Sequence, residues 1–210
     1  MAFRIHLIAF HKAPADRVKA NVLKLFPETE EERFADPEVF SSNDRWTCLC
    51  VSTHSAKREQ FESFVAETAG PAVWITTNNP DDWIVRVGNG ANELVALHLP
   101  LVNVDPDERQ EADGEEVLQS LEIAPPPDLA NEMAPLDGSE AWDRYFKHAR
   151  SALESALTDA GIPFDSSRLH QLFSEEAFDE MDENDGAQLG YFVNEVLEIG
   201  FDLSEDDDRR

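Results

Sequence analysis

Through the first hundred residues short apolar runs alternate with amphipathic stretches, and beyond them the alternation stops. Runs of strand length set between segments with three- and four-residue apolar spacing are the pattern of a sheet layered with helices. Phe3–Phe10 reads as a first strand, with Phe3, Ile5, Leu7 and Ala9 on one face. Pro14 opens a helix carrying Val18, Val22, Leu25 and Phe26, and Pro27 stops it. Residues 27–44 read as a polar connection. Trp46–Thr53 is the second strand, and Ala56–Ala69 a second helix with Phe61, Phe64 and Val65 inward, ended by Gly70-Pro71. Val73–Thr77 gives a third strand. Trp83–Val87 and Glu93–Leu101 flank a glycine-bearing turn, Gly88-Asn89-Gly90-Ala91-Asn92, and so form a hairpin. The order β-α-β-α-β-β-β over residues 1–102 predicts an α+β domain, with an α/β arrangement as the alternative.

The second half has different punctuation. Residues 103–138 are acidic and include Ala124-Pro125-Pro126-Pro127, a stiff extended run, and read as a linker. Residues 139–203 read as mainly helical. Ser139 is placed to cap a helix to about Ala160, with Trp142, Tyr145, Phe146, Ala149, Leu153, Ala156 and Leu157 on one stripe and Gly161 then Pro163 at its end. Further helices are predicted at Leu169–Phe178 and Ala187–Ile199, before a charged tail at 204–210.

Charge follows the same division. Against 17 Lys and Arg stand 44 Asp and Glu, a formal net charge of −27. Residues 1–100 hold 10 basic and 14 acidic side chains, so residues 101–210 hold 7 and 30. A protein this anionic is repelled by phosphate backbones and anionic headgroups, which argues against nucleic acid and membrane surfaces as partners. Salt adaptation would spread acidity evenly. The concentration in one half instead describes a localised anionic face, with Asp105, Asp107, Glu108, Glu111, Asp179, Asp182, Glu183 and Asp185 in its densest stretches.

Candidate chemistry is sparse. His11-Lys12-Ala13-Pro14-Ala15-Asp16 and His54-Ser55-Ala56-Lys57-Arg58-Glu59 share H-x-A-x-x-[D/E] at a strand end and helix start. If their strands were parallel neighbours, His11 and His54 would converge where open α/β sheets bind ligands, able to act as acid and base or to hold a metal, with Asp16 and Glu59 in the helices' first turns. His6 and His98, inside strands, read as half-buried hydrogen-bonded histidines, and His148 and His170 as helical or surface positions. Cys48 and Cys50 project from one face of one strand and read as free thiols, which suits a reducing cytoplasm. No EF-hand loop, P-loop, dinucleotide fingerprint, G-x-S-x-G elbow or H-E-x-x-H helix occurs in the sequence. No cofactor and no metal are therefore assigned. No apolar run approaches the roughly 20 residues of a membrane span. The leading expectation is a soluble acidic protein that binds or inhibits a basic protein partner, such as a toxin or nuclease, through its C-terminal half. The alternative is a small α/β enzyme built on His11 and His54.

Overall fold

The fold is that of a computed structural model, which describes residues 4–25, 38–53, 58–68, 70–79, 82–100, 112–173 and 185–199. Among the described residues the element order is β1 (Arg4–His11), α1 (Ala15–Leu25), β2 (Glu38–Ser42), β3 (Trp46–Thr53), α2 (Arg58–Thr68), β4 (Pro71–Asn79), β5 (Asp82–Asn89), β6 (Asn92–Pro100), α3 (Gly114–Ser120), α4 (Pro127–Met133), α5 (Gly138–Asp159), α6 (Ser166–Leu172) and α7 (Asp185–Leu197). The strands form one six-stranded sheet in the order β2-β3-β1-β4-β5-β6. Every neighbouring pair is antiparallel. The protein is therefore α+β, and the α/β alternative is corrected.

The correction has an identifiable source in β2, which lies inside the stretch expected to be a polar connection. After α1 the backbone enters β2 in the direction of β1, then reverses through Asn43-Asp44-Arg45 so that β3 fills the gap between them, antiparallel to both. Asn43 Oδ1 holds that reversal by accepting the backbone N–H groups of Arg45 (2.8 Å) and Trp46 (2.9 Å). The connection through α2 then passes β1 to deliver β4 on its far side, with α2 packed over β4, β5 and β6.

Side chains alternate across the strands and supply two cores. One face buries Ile8, Phe10, Leu49, Val51, Ala72 and Trp74 under Val18 of α1 and Phe61 and Val65 of α2. The other buries Leu7, Ala9, Trp46, Cys48, Val73, Ile75, Trp83, Val85, Leu97 and Leu99 against the five later helices. The hairpin predicted at Gly88–Asn92 closes with Asn89 paired to Asn92 and Gly90 at φ +61°, a left-handed conformation that glycine adopts without strain.

Residues 112–138 are not an extended linker. Val117, Leu121, Leu129 and Met133 of this segment are buried in the same cluster as the sheet's second face. Of the proline run, Pro126 is extended at φ −53°, ψ 145°, whereas Pro127 starts α4. The long predicted helix is present as α5, although Asp137 and not Ser139 caps it, its carboxylate accepting the N–H of Glu140 at 2.9 Å. The helix expected at Leu169–Phe178 corresponds to α6, and the part beyond Phe173 lies outside the described residues. No helix among the described residues is long and apolar enough to cross a membrane.

Candidate functional site

The helices on the two faces differ in charge. α1 and α2 together carry Arg17, Lys19, Lys24 and Arg58 against Asp16, Glu59, Glu62 and Glu67, a balanced set. The opposite layer, over residues 112–173, carries 12 Asp and Glu against 4 Lys and Arg. Two of those four cations are engaged within the layer: Arg144 meets Glu132 at 2.6 Å across α4 and α5, and Arg168 meets Glu195 at 3.0 Å across α6 and α7. Asp113, Glu115, Glu116, Asp128, Asp137, Glu140, Asp143 and Asp159 are exposed.

Part of this acidity is built by a local device. Asp113-Gly114-Glu115-Glu116 and Asp137-Gly138-Ser139-Glu140 repeat D-G-x-E, an aspartate cap with glutamate three residues on. The two helix starts lie side by side, bridged antiparallel at Asp113 and Asp137. Gly114 N–H donates to Leu136 O at 3.0 Å and Gly138 N–H to Ala112 O at 2.9 Å. Asp113 Oδ1 accepts from Glu115 and Glu116 N–H, both at 3.0 Å, and Glu116 Oε2 accepts from Asp113 N–H at 3.2 Å, completing a capping box. Both glycines are buried, and a Cβ on Gly114 would lie 1.9 Å from Met133 O. Two positive helix ends are thus packed together, and the carboxylates answer their dipoles. The repeat was open to reading in the sequence, because Asp-Gly followed by Glu at this spacing is a helix-start signal.

Asp185 opens α7. Asp105, Asp107, Glu108, Glu111, Asp179, Asp182 and Glu183 lie outside the described residues, as do His54 and the adjoining Ser55–Lys57. Asp16 stands exposed in the first turn of α1, and Glu59 lies in α2. The premise for bringing His11 and His54 together was a parallel pairing, which the sheet does not have. In the antiparallel register His11 sits opposite Trp46, while Thr53 sits opposite Arg4. Seven residues of strand, about 23 Å at 3.3 Å each, separate those two rungs.

His11 occupies a corner where β1, the β2–β3 turn and the end of α7 meet. Its imidazole lies against the Trp46 indole, ring centroids 5.1 Å apart. Partial burial, then the charges of Lys12 and Arg45, lower its pKa, so the ring favours its neutral form. Lys12, at φ 53°, donates its N–H to Arg45 O at 2.6 Å. Arg45 reaches the Glu198 carboxylate at 3.2 Å, and Asn43 Nδ2 donates to Ile199 O at 2.8 Å, which fastens the end of α7 to the sheet.

The strand histidines are more buried than the sequence suggested. His6 is fully buried and its Nδ1 accepts the Trp74 indole N–H at 3.1 Å. Because an indole nitrogen only donates, Nδ1 carries no proton, and the Thr76 hydroxyl 2.9 Å away must donate as well. His98 Nδ1 accepts the backbone N–H of Glu122, and its carbonyl accepts the Tyr145 hydroxyl. Those two bonds tie the helical layer to the outer edge of β6. Burial pushes the Tyr145 phenol up to about 12, so it stays a donor. Cys48 and Cys50 form no disulfide, and Cys48 is buried with its thiol pKa raised by burial and then by Cys50. Among the described residues no group of three or more His, Cys, Asp and Glu is arranged to hold a metal ion.

No protein-family model, no curated protein and no solved structure matches this protein.

Proposed function

We propose that this is a binding protein, of inhibitory type, that docks a basic protein surface through its acidic helical layer. The observation that carries the reading is the segregation of charge across the sheet: balanced helices on one face, and 12 acidic against 4 basic residues in 112–173 on the other. A one-sided field of this kind speeds encounter with a cationic partner by about 10–10³-fold and repels nucleic acid itself. Basic clefts that receive phosphate, as in nucleases and nucleic-acid-directed toxins, have the complementary chemistry. Two cysteines that form no disulfide, Cys48 and Cys50, fit a reducing, cytoplasmic setting.

The test is capture of partners at low ionic strength, followed by purified-component binding of each. Under this reading the captured partner is basic, and its affinity falls steeply with added salt. Asp179→Lys with Glu183→Lys in the dense acidic stretch weakens it further. A partner held equally at low and high salt, and indifferent to both substitutions, overturns the reading.

A further inference from the structure

The Asn89–Gly90 step at the tip of the β5–β6 hairpin joins an exposed amide to an unhindered backbone nitrogen, and we infer that it is a site of spontaneous covalent modification in which Asn89 becomes aspartyl and isoaspartyl through a cyclic imide. It is the only Asn-Gly pair in the sequence. The Asn89 amide is exposed and makes no hydrogen bond to any described residue. Gly90 has no side chain to shield its nitrogen, and the space that a Cβ there would occupy has no atom within 4 Å. Among the described residues its N–H is held only by Gly70 O at 3.4 Å, long against the usual 2.9–3.0 Å, so the nitrogen is weakly restrained. In the reaction the Gly90 nitrogen attacks Asn89 Cγ. The new bond from that nitrogen to Cγ forms as the bond from Cγ to Nδ2 breaks, and ammonia leaves with the proton from Gly90. Water then adds to one ring carbonyl as that carbon's bond to the Gly90 nitrogen breaks: opening at Cγ restores the normal backbone with an aspartyl side chain, opening at the Asn89 main-chain carbonyl leaves the β-linkage, and nothing is oxidised or reduced.

Asn92, across the same two-residue turn, is also exposed but is followed by Glu93 and not by glycine, and a side chain on the following residue hinders attack by its nitrogen. It serves as an internal control. Conversion at Asn89 matters for the fold because Asn89 is paired on both sides, to Asn92 and to Pro71. A β-linkage adds a backbone carbon at that rung, and either product adds a carboxylate.

The experiment is incubation of the intact, folded protein at mildly alkaline pH, with intact-mass spectrometry, peptide mapping and isoaspartyl methyltransferase labelling. The expected result is replacement of one amide NH2 by OH, mapped to Asn89, with methyl label on the same peptide while Asn92 remains unreacted. Asn89→Ser abolishes that gain and leaves the circular dichroism spectrum unchanged. Gly90→Ala slows it at least several-fold, and if that variant fails to fold, Asn89→Ser alone decides. Mass gain at another asparagine first, or gain at the same rate in Asn89→Ser, overturns the inference. So does a folded protein whose Asn89 outlasts its other asparagines.

Discussion

On the α1/α2 face the sheet buries a small cluster around a polar centre, where His6 Nδ1 accepts from Trp74 and Thr76, under helices whose charges cancel. On the opposite face it buries the larger cluster, includes the indole N–H groups of Trp46 and Trp83 with no hydrogen-bond acceptor among the described residues, and carries acidic helices. The first face gives its buried indole an acceptor and is electrostatically neutral outside. Among the described residues the second leaves two indole donors unsatisfied, and it concentrates carboxylate at its rim. Salt adaptation would load both sides alike, so the difference assigns the charge to the helical layer as such.

Four perturbations probe this contrast. The largest effect is expected at the joined helix starts, where Gly114→Ala drives a Cβ into the Met133 carbonyl and the backbone must move. A loss of about 3 kcal/mol in urea unfolding is expected, the upper end for overpacking. A near-neutral outcome would mean that the α3–α5 junction is not closed as described.

The second is a matched pair, Trp74→Phe and Trp83→Phe, one on each face. Both shrink a buried ring, but the first removes a donor that His6 uses and the second removes a donor with no acceptor. An unsatisfied buried donor costs about 1–3 kcal/mol, so Trp74→Phe should destabilise by about 2 kcal/mol more than Trp83→Phe. Equal losses in chemical denaturation would erase the distinction between the faces.

Next in size is the cap of α5. Asp137→Ala removes the acceptor of the Glu140 N–H and is expected to cost about 1 kcal/mol, read as a lowered urea midpoint, with Asp137→Asn restoring most of it. The smallest effect concerns His11. Its folded pKa lies below the ordinary 6.5, so the unfolded state takes up this proton first as pH falls. The stability it contributes is complete above about 6.5 and declines as pH drops from there toward the folded value. His11→Gln should flatten that part of the stability–pH curve slightly, and an unchanged slope would contradict the surroundings given to the ring.

Much of the fold is readable in the sequence where periodicity is strong. The strands at Arg4–His11 and Trp46–Thr53 each show an apolar run of strand length, the β5–β6 hairpin has its glycine turn between two such runs, and α5 has a stripe of period 3.6. β2 escaped because Glu38-Val39-Phe40-Ser41-Ser42 has one short apolar pair in polar company and a register shift between Val39 and Ser41. That single omission also hid the antiparallel pairing, since β2 is what reverses β3, and with it went the reason to expect His11 and His54 together. α3 and α4 were obscured by acidity and prolines, which suggest an extended segment, although Asp113 with Glu116 and Pro127 are helix-start residues. Hydrogen bonds between distant segments, such as His6 with Trp74 or Tyr145 with His98, have no signature in local spacing.

The most direct test of the acidic layer is the association rate with the captured basic partner for two charge-reversed variants set against the unaltered protein. Asp143→Lys with Asp159→Lys alters exposed positions of α5 away from its cap, and lysine near a helix C-terminus suits the dipole. Arg17→Glu with Lys19→Glu alters α1 on the opposite face. The α5 variant is expected to associate about tenfold more slowly at low salt, a gap that closes as ionic strength rises, while the α1 variant associates at the unaltered rate or faster. Equal rates for all three proteins, or slowing confined to the α1 variant, would contradict docking through the acidic layer.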